Sequence, residues 1–398
     1  MSRLILGASW VVPVDGPPVK DGRVLVEGDR VAWLGPAGDP AAPQGPVREL
    51  GPGVLLPGLV NAHCHLELSQ LAGQTPFGEG FVPWVESVVA ARGRPGEDAV
   101  RARAEAIRSL EERGTVAVGD VSNTLGHLDL LAASRLRSVV FLELLAWDPA
   151  RAEATLTWAE ERLAAAARTP TPGVEVRLAA HAPHSVSPEL FARLVERGGV
   201  ASIHLAESPE ESRFLAEGDG PWAGFLERRG LGHVSFRPPG TSPVEYVDGL
   251  GLLHPSLVVV HAVQVGEEDR GRLARRGVSV ALCPRSNRNL GVGTADVPAL
   301  LAAGVRLCLG TDSLASVETL DVLDDAVLLT RQFPRLDPAA VVRMATAGGA
   351  EALGLDDLGT IAPGKRAALA FAGAPSPPTD PHAHLLSGRA RLRRVEIG

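Results

Sequence analysis

The sequence predicts an α/β fold: a TIM-type (β/α)8 barrel over residues 58–355, with a small composite β-sandwich built from both chain ends, residues 1–57 and 356–398. Two observations carry this expectation. Throughout the middle segment, short apolar runs alternate with helix-periodic stretches rich in Ala, Arg, Glu and Leu, whereas both ends show short β-like runs separated by Gly and Pro turns. Eight strand candidates with their crossovers in about 300 residues suit a closed barrel better than an open doubly wound sheet.

In chain order, the N-terminal β-like runs are Leu4–Val14, Arg23–Val26 and Arg30–Leu34. The barrel strands are expected at Leu55–His63, Thr115–Asp120, Ser138–Leu145, Val174–Ala180, Ala201–His204, Leu257–His261, Val278–Cys283 and Val305–Gly310. Helices are expected between them, at Glu97–Arg113, Arg151–Arg168, Pro188–Arg197, Glu267–Arg276 and Val297–Ala303, several stopped by a glycine: Gly114, Gly198, Gly277 and Gly304. After Leu355 the β-like pattern returns at Gly359–Phe371 and Arg391–Ile397, and Ala374–Pro381 is the loosest stretch.

Composition narrows the class. A chain of 398 residues, 45% hydrophobic, can bury a large core. Its three cysteines, Cys64, Cys283 and Cys308, each lie in an apolar run; they read as small buried hydrophobes in a reducing, cytoplasmic protein. The start of the chain lacks a basic segment followed by an apolar one, and no run of about 20 apolar residues occurs, so secretion and membrane spanning are disfavoured. A net charge of -8 argues against a nucleic-acid partner, with Arg389–Arg394 read as a solvated edge. Lysine occurs only at positions 20 and 365, so no lysine can serve a site in the barrel.

Polar residues then fall where a barrel places its chemistry, at the C-terminal strand ends. The first strand ends in Asn61-Ala-His63-Cys-His65-Leu-Glu67, and residues two apart on a strand face the same side. The fourth ends in His181, the fifth in His204 with Glu207, the sixth in His261 and the eighth in Asp312. One strand-end histidine is ordinarily a satisfied core residue; five strand ends converging on one mouth are not. Three imidazoles and a carboxylate suit a borderline divalent ion, zinc first and iron second, and the expected ligands are His63, His65, His204 and Asp312. Such an ion lowers the pKa of a bound water toward about 7. Glu207 is placed to move that water's proton, and His261 to orient it and stabilise charge, with Asp312 counted among the catalytic groups as well. His382 and His384 repeat the spacing of the first pair, but lie in a Pro-rich stretch without a matching carboxylate and read as coincidence.

The order of these motifs resembles the amidohydrolase superfamily, in its mononuclear deaminase branch. Asn61–His65, His181-Ala182-Pro183, His204–Glu207, His261-Ala262 and Gly310–Ser313 match its motifs along essentially the whole chain. Gly359–Lys365 resembles the turn that re-enters the terminal sandwich, although Ala367-Ala368-Leu369 lacks the usual aspartate. Binuclear relatives bridge two metals with a modified lysine, which this barrel lacks. The finer wording, His65–Ser69, Phe141–Glu143, Gly220–Trp222 and Cys283–Asn287, is similar to the 6-aminodeoxyfutalosine deaminases of menaquinone biosynthesis.

That resemblance implies a hydrolase that replaces an adenine amino group with oxygen and releases ammonia, acting on a small-molecule nucleoside, with a homodimer as the assembly it allows. The runner-up substrates are S-adenosylhomocysteine and methylthioadenosine. Relatives with that activity carry an acid two residues before the tryptophan, where this chain has Val82. Guanine deaminase or chlorohydrolase chemistry and a non-catalytic scaffold rank lower. By the same resemblance His181 contacts the substrate ring, Ser313 lies beside the site, and Glu67 or Glu143 supplies a ribose contact. Arg285 or Arg288 pairs with a substrate carboxylate. Phe81 and Trp84 serve either as core or as a lid over a flat ring, and the role of His184 stays open.

Overall fold

The structure, a computed structural model, describes residues 2–92, 97–169 and 171–397. Eight parallel strands form a barrel: β1 (Leu59–Cys64), β2 (Thr115–Ser122), β3 (Arg137–Leu144), β4 (Val174–Ala180), β5 (Val200–Leu205), β6 (Val258–His261), β7 (Ser279–Leu282) and β8 (Arg306–Leu309), each hydrogen-bonded to the next. Parallel strands covered on both faces read as continuous apolar runs, which is why their positions are visible in the sequence. Every residue of β1, β2, β5, β6 and β7 is buried. The barrel closes where β8 returns to β1: the Thr311 N–H donates to the His63 carbonyl at 2.9 Å, and Cys64 bridges Asp312.

One expected strand is corrected. The run Leu55–His63 is two strands, Gly53–Pro57 in the sheet of the chain ends and β1 in the barrel. The chain passes between them at Gly58, where a side-chain Cβ would overlap Val116. The other expected strands coincide with β2 to β8 to within two residues at each end. The expected glycine stops hold: Gly114, Gly198, Gly277 and Gly304 all have positive φ.

The chain ends form one seven-stranded sheet. Leu369–Gly373 runs antiparallel to Gly53–Pro57, which continues through Arg3–Val11 and Val19–Glu27 to Arg30–Pro36. The sheet folds back on itself: the Val31 N–H donates to the Lys365 carbonyl at 2.9 Å, and the Ala367 N–H to the Asp29 carbonyl at 2.8 Å. Leu6, Val24, Val26, Leu55, Phe371 and Val395 fill the space enclosed. His382 and His384 lie on the short helix Pro381–Leu385, which packs beside this sheet. Among the described residues no helix is long and apolar enough to cross a membrane.

Candidate metal centre and substrate pocket

Three strands bring one set of nitrogen and oxygen atoms together at the barrel mouth. β1 delivers His63 and, one residue past its end, His65; β5 delivers His204; the turn after β8 delivers Asp312. Asn61 ties the first to the last: its amide nitrogen donates to Thr311 Oγ1 at 2.8 Å, and its oxygen accepts from the Thr311 N–H at 3.2 Å. Nε2 of His65 stands 3.3 Å from Nε2 of His204 and 3.4 Å from Asp312 Oδ1, while His63 Nε2 is 3.8 Å from the same oxygen. Two nitrogens bound to one tetrahedral zinc are about 3.4 Å apart. His63 is wholly buried and neither ring nitrogen has a protein hydrogen-bond partner. Burial, then the neighbouring imidazoles, holds its pKa well below the usual range, so it is the neutral ligand form. Uncompensated burial of such a ring is costly, and a cation among these four groups removes the cost. The donor set therefore fits a divalent ion.

The surrounding groups fix these side chains. Ser286 Oγ and Ser316 Oγ both donate to Asp312 Oδ2, at 2.6 and 3.0 Å, leaving Oδ1 toward the histidines. Burial pushes the Asp312 carboxyl up against these bonds. His204 Nδ1 lies 3.2 Å from the His181 carbonyl, which places its proton there and its lone pair on Nε2. His261 Nδ1 meets Asn287 Oδ1 at 2.9 Å, so its Nε2 lone pair faces Glu207 Oε1 at 3.4 Å. Burial, then His204, pushes the His261 pKa down to about 3. Burial, then Asp312, raises the Glu207 carboxyl well above its usual range. Ala206, His261, Ala262 and Asp312 all adopt positive φ, a strained backbone for non-glycine residues that is concentrated here.

A cleft of about 680 Å³, including its open mouth, reaches this cluster. The helix Phe81–Arg92 supplies its apolar wall through Phe81, Trp84, Val85, Val88 and Val89; His181 and Glu143 also line it, and His184 lines it beside Phe81. Phe81 is buried core, and Trp84 both lines the cleft and donates from its indole to the Ala315 carbonyl at 2.9 Å. A neighbouring groove of about 900 Å³, open solvent included, shares Glu143 and Leu145 with the cleft and is lined further by Asn123, Arg151 and Trp158.

Three expected substrate contacts are corrected. Glu67 is consumed inside the protein: its carboxylate accepts from Ser122 Oγ at 2.7 Å, the N–H groups of Asn123 and Thr124 at 2.9 and 3.0 Å, and the Thr124 hydroxyl. These bonds hold its pKa down despite burial, which acts in the opposite direction. Arg285 is buried against Asp325, at 2.8 Å, and donates further to Thr319 and the Asp321 carbonyl; it does not line the cleft. Ser313 is wholly buried and outside the cleft lining. Arg288, the alternative, is exposed and bonds Asn289. Glu211 was not expected. Its carboxylate accepts from the N–H groups of Ala206 and Glu207, at 3.1 and 2.8 Å, and so sets the backbone that carries Glu207. The signal was Ser208-Pro-Glu-Glu211, a Ser-x-x-Glu capping pattern.

Comparison with known proteins agrees with this geometry. Residues 54–387 match the amidohydrolase family. An aminodeoxyfutalosine deaminase from Deinococcus radiodurans is 36% identical over 346 residues, covering 84% of this chain and 81% of that protein. A 5-methylthioadenosine/S-adenosylhomocysteine deaminase from Moorella thermoacetica is 31% identical, covering 97% and 90%. Among solved structures, Helicobacter pylori aminofutalosine deaminase in complex with methylthio-coformycin superposes with a TM-score of 0.85 at 26% identity, covering 99% of this chain and 100% of that one. A zinc-bound adenosine deaminase from Xanthomonas campestris has a TM-score of 0.79 at 26% identity, covering 98% and 89%.

Proposed function

The chain belongs to the amidohydrolase family, and on that premise we propose that its cleft removes the 6-amino group of an adenine-type nucleoside, with 6-aminodeoxyfutalosine as the substrate. The family and its deaminase relatives make it a hydrolytic deaminase of the adenosine type. The observation that carries the reading is the Glu207–His261 pair, 3.4 Å apart, set directly beside the cluster of His63, His65, His204 and Asp312.

Those four residues would hold one divalent ion, zinc first, which when bound supplies an activated water at neutral pH. Glu207 is the proton carrier: a carboxyl with a raised pKa both takes a proton from the attacking water and returns it to the ring nitrogen beside the reacting carbon. Neutral His261 presents its Nε2 lone pair on the same side and orients the attacking oxygen. The C6–O bond forms, the remaining proton of the attacking water passes from the new hydroxyl by way of Glu207 to the amino nitrogen, the C6–N bond breaks, and the amino group leaves as ammonia with C6 left as a carbonyl. Trp84, Val85 and Val88 exclude water and cover the flat ring, with His181 at its edge.

For the 5′ substituent the groove that shares Glu143 with the cleft offers Arg151, which takes the place first expected of Arg285. A guanidinium there suits a substrate that ends in a carboxylate. The second reading, deamination of S-adenosylhomocysteine or methylthioadenosine, draws on the Moorella relative's coverage of 97% of the chain. Rates for all four nucleosides, adenosine included, decide between them. The expected order puts 6-aminodeoxyfutalosine first, and Arg151→Ala lowers kcat/KM about tenfold on carboxylate-bearing substrates alone. Equal or faster turnover of methylthioadenosine would refute the finer assignment and leave a general adenosine-type deaminase.

A further inference from the structure

We propose that His184 recognises the sugar of the substrate through a ring nitrogen; this rests on the nucleoside reading above. His184 is 1% exposed, lines the cleft, and has no hydrogen-bond partner among the described residues at either Nδ1 or Nε2. A polar ring held in an apolar wall without partners is costly unless a ligand supplies them.

Its orientation is built. The ring stands edge-on to Trp222, with centroids 4.1 Å apart at 68°, and to Phe81, at 5.9 Å and 85°. The Trp222 indole donates to the His184 carbonyl at 2.7 Å, which fixes the backbone as well. A neutral imidazole offers one donor and one acceptor on opposite edges of its ring, and a sugar hydroxyl, which both donates and accepts, can meet whichever of the two faces the cleft.

Position selects the sugar over the base. The ring of His181 lies 5.2 Å from that of His204 and 5.9 Å from that of His184. A purine whose six-position sits at the metal cluster occupies the first of these steps and carries its sugar to the second. Glu67 is already committed to Ser122, Asn123 and Thr124, whereas Glu143 gives Oε2 to Asn123 and turns Oε1, which has no hydrogen-bond partner among the described residues, toward His204. His184 is the unpartnered polar group that stands against Phe81, and Glu143 Oε1 stands by His204.

The test compares adenosine with 2′-deoxyadenosine and 3′-deoxyadenosine on the metal-loaded protein. Wild type should prefer adenosine to at least one deoxy analogue by about tenfold in kcat/KM. His184→Phe, which keeps the aromatic stack, should lose about tenfold on adenosine, through KM, and should cease to distinguish the analogues. Its kcat and ion content should stay unchanged; His184→Met serves if the stack rejects phenylalanine. His184→Asn, with a donor and an acceptor, should recover part of the preference. An apolar variant that keeps the wild-type ratio between adenosine and its deoxy analogues overturns the proposal while leaving the nucleoside reading intact. Silence of wild type on these three nucleosides and on 6-aminodeoxyfutalosine and methylthioadenosine alike overturns the nucleoside reading, and the sugar contact with it.

Discussion

Gly310 lies where β8 closes on β1, and replacing it by alanine tests the seam that holds His63 and Asp312 together. An added methyl would stand 2.7 Å from His63 Cβ, 2.9 Å from the His63 carbonyl oxygen and 3.1 Å from its nitrogen, where ordinary contact begins at 3.4 Å. Two of these atoms are backbone, so the strands themselves must part by about half an ångström. The same carbonyl accepts from the N–H groups of Thr311 and Asp312, at 2.9 and 3.1 Å, and both bonds lengthen. Overpacking of about 1–3 kcal/mol plus partial loss of two hydrogen bonds of about 1 kcal/mol each gives an expected destabilisation of about 2–4 kcal/mol. Separation of His63 from Asp312 should also weaken ion binding by about tenfold or more, as loss of supporting contacts does at other metal sites. Urea unfolding of the metal-free protein measures the first effect and competition with a chelating dye the second. Gly266→Ala is the control, because nothing lies within 4 Å of its added Cβ. An unchanged urea midpoint together with unchanged zinc affinity in Gly310→Ala would refute the closure described here.

Glu207→Gln should lower kcat by at least about a hundredfold while ion content and KM stay near wild type, checked by metal analysis and steady-state kinetics. Arg285→Met should destabilise by about 3–5 kcal/mol, because it strands Asp325 in the core without its cation. Burial already pushes the Asp325 pKa up to about 6, and removal of Arg285 raises it further, so the loss in urea midpoint should grow from pH 5 to pH 8. His127 is buried 2.6 Å from Asp120; burial lowers its pKa, but the Asp120 carboxylate more than offsets this, and the net shift is upward. A raised imidazole contributes stability that is fully present below its ordinary pKa and lost as pH rises through the folded value. The urea midpoint of His127→Gln should therefore fall less than that of wild type between pH 6 and pH 9.

The barrel was legible because buried parallel strands must be apolar on both faces, and because imidazoles placed at their ends interrupt that pattern at regular places. The break at Gly58 was not, since one apolar run serves two sheets and only a close approach to Val116 separates them. Charged residues were the least legible. Glu67 and Arg285 look equally suited to bind a ligand, but the groups that engage them, the Ser122 hydroxyl and the Asp325 carboxylate, lie 55 and 40 residues away along the chain. Nothing local announces such a partner. Glu211 shows the converse: its capping pattern was visible, but a helix cap does not reveal that the same carboxylate reaches back past the cap to fasten Ala206 and Glu207.

Ammonia release from 6-aminodeoxyfutalosine, followed with zinc-loaded, chelator-stripped and zinc-restored protein, tests the proposed chemistry most directly. The expected result is one ammonia per nucleoside, lost on stripping and regained with about one ion per chain. Undiminished ammonia release after stripping would contradict the metal assignment, and silence of fully loaded protein on every adenine nucleoside would contradict the deaminase itself.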